Sequence, residues 1–268
     1  MHNKIYHINT EATVMLKILV CIKEVIPYDT PLEIMSGGSS YSGCHMNLYD
    51  EYALEEAVRI KEAFPGTVVD AFSAGPERVC GTLKKALEKG ADNAFHYYLK
   101  DGIGIPPSMK ASIISSFAAP RGYRLILTGV MSEDLMHGQV GPMTAGFMNI
   151  PYAASVVREA LNLSMSTVDA ESEIEGGSRI IFRLNLPALL TIQSGINTPR
   201  YPSLSNKLRA KKQDIVPVEE CGSPGLPLRE EIYSIGYPEK TTTGTVIEGN
   251  RQERADKLLH IFHEKALI

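Results

Sequence analysis

The sequence predicts an α/β fold: a doubly wound, mainly parallel sheet with an added β-hairpin and a C-terminal arm. Up to Pro151, short apolar runs alternate with amphipathic helical segments, which is typical of parallel strands covered on both faces. Beyond Pro151 the pattern changes to two neighbouring strand-like runs. The 268 residues are 44% hydrophobic and 22% charged, so the chain has enough apolar material for a sizeable core.

The first four strands are predicted where apolar and β-branched residues form short runs. These runs lie at residues 16–22, 67–73, 91–98 and 123–129. Helical spacing of apolar residues predicts the intervening helices. These lie at residues 50–64, 76–88, about 109–117 and about 139–148. Pro76 is expected to be the first residue of the second helix, and Gly90 is expected to close it.

The second half predicts a hairpin, one more buried strand and a terminal helix. Residues 166–173 and 178–186 form the hairpin around Glu175-Gly176-Gly177, and residues 186–192 form the strand. The helix at residues 251–263 begins with a capping pair, Asn250 and Glu253. No neighbouring segment of the sequence is predicted to pack against the apolar stripe of this helix. The stripe consists of Leu258, Leu259 and Phe262.

Three regions follow from these elements. Residues 1–14 form an N-terminal extension and residues 15–214 form the α/β domain. Residues 215–268, rich in proline and glycine at their start, form an arm that reaches another chain.

Several classes of function are disfavoured. The net charge of −4 argues against nucleic acid as a partner. No H-E-x-x-H, G-x-S-x-G or Walker A motif is present, and the histidines lack ligand spacing. We therefore predict no catalytic residue and no metal ligand. No stretch approaches about 18 uninterrupted apolar residues, so no membrane span is expected.

The compartment expected from the sequence is a bacterial-type cytoplasm. The four cysteines contain no C-x-x-C pair, which favours reduced thiols. The first fourteen residues contain Lys4 and Glu11 and resemble neither a signal peptide nor an arginine-rich transit peptide. This favours the cytoplasm over the mitochondrial matrix.

Two strand ends predict a nucleotide site. Thr128-Gly129 ends one strand, and the glycine-rich residues 132–146 lead into the next helix. Ser73-Ala74-Gly75-Pro76 makes a second strand-to-helix edge. Ligands gather at the carboxyl ends of parallel strands, and helix N-termini attract anions. Gly138 and Gly141 would let a phosphate approach the backbone, although a turn that only packs a helix on the sheet gives the same pattern.

Two further segments leave alternatives open. Asn47 lies just before the first helix and could cap it or contact a base, and capping is the commoner use. Lys207, Arg209, Lys211 and Lys212 form a basic run, which is usually a solvated face.

Taken together, residues 15–212 resemble the β subunit of electron-transfer flavoprotein, within the adenine-nucleotide α-hydrolase-like (HUP) superfamily. The resemblance depends on six segments considered jointly. They are residues 46–62, 86–92, 141–147 and 173–177, Leu186-Pro187-Ala188, and residues 199–204.

The resemblance implies a heterodimer with an α subunit that holds most of a redox FAD, while this subunit binds a structural AMP. The positions that match the AMP contacts are Cys21, Asn47, Leu48, Tyr49, Asp50, Ala74, Asp134, Gly138, Gln139, Val140, Gly141, Pro142, Met143, Thr144 and Ala145. Tyr28 matches a tyrosine near the FAD ring.

The resemblance also implies a docking loop at about residues 194–212. Leu204 matches the anchor that binds acyl-CoA dehydrogenases or related flavin dehydrogenases, and the basic run lies just beyond it. Electrons would pass through the FAD to a membrane quinone oxidoreductase, and this chain would be a carrier subunit rather than an enzyme.

Two alternatives remain open. Met143-Thr144-Ala145-Gly146 matches the AMP-binding type, whereas Gly141-Pro142 looks like the bifurcating type, which places a second FAD where AMP sits and oxidises NADH. A stand-alone adenine-nucleotide sensor of the same superfamily is the other alternative.

Overall fold

A computed structural model describes residues 16–27, 29–30, 43–99, 105–219, 236–237 and 244–268. The chain divides into two compact units, Met1–Tyr233 and Ser234–Ile268.

Among the described residues of the first unit, nine strands form one sheet in the order β11-β5-β4-β1-β6-β10-β7-β8-β9. The pairs from β11 to β7 are parallel, and β8 and β9 are antiparallel to their neighbours. A separate antiparallel pair joins β2 and β3. The strands are β1 (Lys17–Cys21), β2 (Glu24–Val25), β3 (His45–Met46), β4 (Val68–Gly75), β5 (Asn93–Tyr98), β6 (Leu125–Gly129), β7 (Tyr152–Asn162), β8 (Thr167–Glu173), β9 (Arg179–Asn185), β10 (Ala188–Ile192) and β11 (Ile215–Val218).

Helices cover both faces of this sheet. They are α1 (Leu48–Ala63), α2 (Val79–Lys89), α3 (Pro107–Ala118), α4 (Val140–Met148) and α5 (Leu204–Lys211). Alternate residues of β1 face opposite sides, as the period of two requires. Ile18 and Val20 join a core with α1 and α2, whereas Leu19 packs with Phe117 of α3 and Ala145 of α4. The predicted doubly wound α/β fold is therefore confirmed.

The predicted strands and helices of the first half are confirmed, with one correction at Pro76. The second helix begins at Val79, and residues 76–78 form turns that precede it. The N–H of Val79 donates to the carbonyl of Pro76, three residues earlier, at 3.0 Å. A tight turn therefore precedes the α-helical hydrogen-bond pattern, which begins only after it. The predicted hairpin is also confirmed, because β8 and β9 pair along their whole length.

Besides the short strands β2 and β3, three elements were not predicted. The long strand β7 mixes buried and exposed residues because β8 pairs with it beyond the parallel part of the sheet. Helix α5 lies inside the segment predicted as a docking loop. Strand β11 pairs parallel with β5, so residues 215–218 belong to the sheet although the sequence placed them at the start of the arm.

The second unit contains α6 (Arg251–Glu264) among its described residues. The predicted capping box is present: the Asn250 side chain accepts the N–H of Glu253 at 3.0 Å, and the Glu253 carboxylate accepts the N–H of Asn250 at 3.1 Å. The stripe residues Leu258 and Leu259 are exposed. In the described parts of both units, every helix is too short or too polar to span a bilayer.

Candidate functional site

A cleft of about 630 Å³ opens at the carboxyl ends of β1, β4 and β6. Strand β1 pairs with β4 on one side and with β6 on the other. The order in which successive strands are added to the sheet therefore reverses at β1. Such a switch point leaves a crevice between diverging loops, and ligands of doubly wound sheets bind in it. The position of the cleft therefore follows from the order of the strands.

Asp50 joins the two strand ends that border this crevice. Its Oδ2 accepts the backbone N–H of Lys23, just after β1, at 2.7 Å. Its Oδ1 accepts the backbone N–H of Gly129, at the end of β6, at 2.8 Å. The residue is only 5% exposed, and burial raises the pKa of its carboxyl to about 7 although both N–H groups oppose that shift.

Asn47 holds the loop that follows β6. Its Nδ2 donates to the carbonyl of Met131 at 2.9 Å, and its Oδ1 accepts the N–H of Glu133 at 3.1 Å. It occupies the N-cap position of α1, but its side chain makes no capping bond there. Instead, the Glu133 carboxylate accepts the N–H of Leu48 at 2.9 Å. Helix α1 and the loop are thereby tied together from both sides.

Two ammonium groups line the cleft. Lys23 pairs with Asp134 and donates to the Ser132 hydroxyl at 3.1 Å. Although burial opposes ionisation of Asp134, the Lys23 charge and hydrogen bonds hold the pKa of that carboxyl below its ordinary value. Burial, with a contribution from the Lys23 charge, lowers the pKa of Lys110 to about 8. An anion in the cleft would meet these two ammonium groups beside the carboxyl groups of Glu24, Asp50 and Asp134, which also line it.

The N-terminus of α4 also faces the cleft, through Gln139, Val140 and Gly141. The first N–H groups of a helix have no partner within it, so they attract an anion. Gly138 adopts the left-handed region with φ 62°, which turns the loop into the helix. A Cβ at Gly141 would lie 2.6 Å from Thr191 Cγ2, so this glycine also lets α4 pack closely on the sheet.

The structure brings nine of the fifteen predicted AMP contacts together. Those that line the cleft are Cys21, Asn47, Asp50, Ala74, Asp134, Gly138, Gln139, Val140 and Gly141. Other predicted contacts are not among the described lining residues: Leu48 and Tyr49 lie in the first turn of α1, and Pro142, Met143, Thr144 and Ala145 lie further along α4. Tyr28 lies outside the described residues.

Cys21 has a packing role at this edge. It is buried, and burial raises the pKa of its thiol, with a smaller contribution from the Asp50 charge. A protonated, buried thiol is a poor nucleophile. Cys21 therefore forms part of the apolar floor of the cleft.

Sequence reasoning missed four charged residues of the cleft. They are Lys23, Glu24, Arg78 and Lys110. Lys23 follows a buried strand by two positions, and this signal could have identified it. Arg78 pairs with Glu24 at 2.8 Å across 54 positions of the chain, and no sequence pattern reports such a contact.

The predicted docking residues lie on α5 and at its ends. Leu204 is 75% exposed, and Lys207, Lys211 and Lys212 are exposed as well. Arg209 differs: its guanidinium donates to the carbonyls of Leu87 and Ala91 at 3.0 and 3.2 Å. Its charge therefore stabilises the C-terminal end of α2.

The strand order and the cleft at the switch point define a doubly wound α/β protein of the Rossmann-like type. Comparison with known proteins is more specific. A family model described as electron transfer flavoprotein domain matches residues 41–221. The chain belongs to the electron transfer flavoprotein beta subunit family, as the similarities to individual proteins also show.

Relatives named electron transfer flavoprotein subunit beta match most of the chain. The Bacillus subtilis protein is 30% identical over 263 residues, covering 94% of this chain and 100% of the relative. The Methylophilus methylotrophus protein is 31% identical over 264 residues, covering 93% and 98%. The Homo sapiens protein is 32% identical over 247 residues, covering 87% and 93%.

Proposed function

We propose that this chain is the β subunit of a heterodimeric electron carrier and binds AMP as a structural cofactor in the cleft. It would work with an α subunit that holds most of an FAD. In this arrangement it is an electron-transfer subunit of the cytoplasm without a substrate of its own. Membership of the family supports the carrier role, and the cleft supports the nucleotide.

The observation that carries the nucleotide proposal is the charge and donor set of the cleft. Lys23, Lys110 and the N-terminus of α4 all present positive charge or N–H groups to one crevice. Phosphate is the chemical group that this combination suits. The apolar floor formed by Cys21 and Phe72 provides a surface for a flat base. The residues present therefore fit an adenine nucleotide.

The proposed route runs from an acyl-CoA dehydrogenase or related flavin dehydrogenase to a membrane quinone oxidoreductase. FAD supplies the reversible electron uptake when bound. This chain would supply the docking surface, because Tyr201 is 96% exposed and Leu204 and Leu208 are exposed on the neighbouring helix. The exposed lysines Lys207 and Lys211 surround these apolar side chains and favour an acidic partner surface.

Acid extraction and chromatography of cofactors from the natural complex test the nucleotide. One FAD and one AMP per heterodimer is the expected result. Two flavins per heterodimer would instead support the bifurcating alternative, which the Gly141-Pro142 pair favours. No bound nucleotide, together with a monodisperse monomer of the chain expressed alone, would favour the sensor alternative.

Leu204→Ala tests the docking surface. If Leu204 anchors the dehydrogenase, the variant transfers electrons from that enzyme at least about tenfold more slowly, with unchanged flavin and AMP content. Met165→Ala is the matched control, because Met165 is also an exposed apolar side chain, 61% against 75% for Leu204, and lies outside α5. Equal transfer rates for wild type and Leu204→Ala would contradict the assignment.

A further inference from the structure

Three side chains with metal-ligating atoms meet beside the cleft, two of them three residues apart and the third on a following strand. Glu77 lies in the turn before α2, Cys80 in the first turn of α2, and His96 in β5. One ligand atom from each lies within 4.8 Å of the other two. The Cys80 Sγ is 3.4 Å from His96 Nδ1 and 3.9 Å from Glu77 Oε1.

The orientation of the His96 ring is held from its far side. His96 is 6% exposed, and its Nε2 lies 2.9 Å from the carbonyl oxygen of Gly75. A carbonyl only accepts, so Nε2 carries the proton and the lone pair of Nδ1 points at Cys80. A histidine whose other nitrogen donates to a backbone carbonyl is the usual arrangement in protein metal sites.

The spacing of the Cys80 sulfur and the His96 nitrogen agrees with tetrahedral coordination. Zinc–sulfur and zinc–nitrogen bonds of about 2.3 and 2.1 Å at a tetrahedral angle place sulfur and nitrogen about 3.6 Å apart. The observed distance of 3.4 Å is close to this value, and the sulfur–carboxylate distance of 3.9 Å needs only a small movement of Glu77. Glu77 is exposed, so its side chain has room to make that movement.

We propose that Glu77, Cys80 and His96 form a binding site for Zn²⁺ or a similar divalent transition metal. Thiolate, imidazole and carboxylate are the ligand types that zinc prefers, and water would complete the tetrahedron. Binding replaces the thiol proton of Cys80, which is released to solvent, and His96 already presents its unprotonated nitrogen. No electron transfer is involved.

The site lies at the rim of the cleft and would stabilise it. Gly75, which accepts from His96, is a lining residue of the cleft. Arg78, between two of the ligands, pairs with Glu24 on the cleft wall. A bound metal would join the turn and the start of α2, at residues 77–80, to β5 and thereby hold this wall in place.

Metal titration of the purified complex tests the proposal. The complex is treated with a chelator, dialysed and titrated with ZnCl₂ in a calorimeter, and separately with CoCl₂ under an absorbance spectrometer. We expect one metal per heterodimer, a near-ultraviolet thiolate-to-cobalt band, and release of one proton. Cys80→Ser should weaken zinc binding at least about a hundredfold and abolish the band.

Two further variants separate this site from other thiols and from misfolding. Cys44→Ser changes another partly buried cysteine and should keep both the affinity and the band. Glu77→Gln changes an exposed side chain, leaves folding intact, and should weaken zinc binding about tenfold or more. The proposal is overturned if wild type binds no stoichiometric metal, if Cys80→Ser binds like wild type, or if Cys44→Ser removes the band.

Discussion

Gly129→Ala tests whether the close approach of β6 to α1 holds the cleft together. A Cβ at Gly129 would lie 2.5 Å from Asp50 Oδ1, 2.6 Å from Tyr49 Cβ and 2.9 Å from the Tyr49 carbonyl carbon. Asp50 is buried and bonded to two N–H groups, so it has no free direction in which to move. The added methyl group must therefore displace the first turn of α1.

The expected loss of stability has two parts. Overpacking a buried site costs about 1–3 kcal/mol. Displacing Asp50 from the Gly129 N–H leaves buried polar groups unpaired, which costs about another 1–3 kcal/mol. The free energy of unfolding should fall by about 2–6 kcal/mol, and Tm should fall by about 4–24 °C for a domain of this size.

Thermal unfolding and cofactor extraction of the purified complex, at matched protein concentrations, measure both effects. Gly146→Ala is the control, because nothing lies within 4 Å of a Cβ added at this position in the last turn of α4. It should leave Tm unchanged or raise it, since alanine favours a helix by up to about 1 kcal/mol. A Gly129→Ala variant with the stability and nucleotide content of wild type would refute the reasoning.

Three other predictions concern charged groups. Because the folded-state pKa of Asp50 is raised from 3.8 to about 7, the folded protein holds an extra proton between these values. Its free energy of unfolding should fall as pH rises through that window, and Asp50→Asn should remove this slope in urea unfolding series. Nucleotide binding should take up a proton near pH 8, because a phosphate raises the lowered pKa of Lys110, and calorimetry in buffers of different ionisation enthalpy measures it. Arg200→Met should lower the free energy of unfolding by about 2–3 kcal/mol in denaturant titrations. The reason is that the Arg200 guanidinium, 2.8 Å from the buried carboxylate of Glu55, is the charged partner of that carboxylate. An unchanged unfolding midpoint would contradict this prediction.

Local sequence patterns were sufficient to predict most of the strands and helices of the fold. The central strands are short apolar runs because both faces of a parallel sheet are buried, so β1 and β6 stand out in the sequence. The capping box of α6 was predictable because its two partners, Asn250 and Glu253, are three residues apart. Strand β11 was missed because Pro217 interrupts its short apolar run, and a proline is tolerated in a sheet only at an edge such as this one.

The sequence by itself determined the alternation of strands and helices, the glycine-rich strand ends and the family. These properties are encoded by neighbouring residues and by motifs considered jointly. Only the tertiary structure decided that Asp50 bridges Lys23 and Gly129, and that Cys80 faces His96. Such contacts join positions far apart in the chain, and they arise because the carboxyl ends of parallel strands converge at one edge of the sheet.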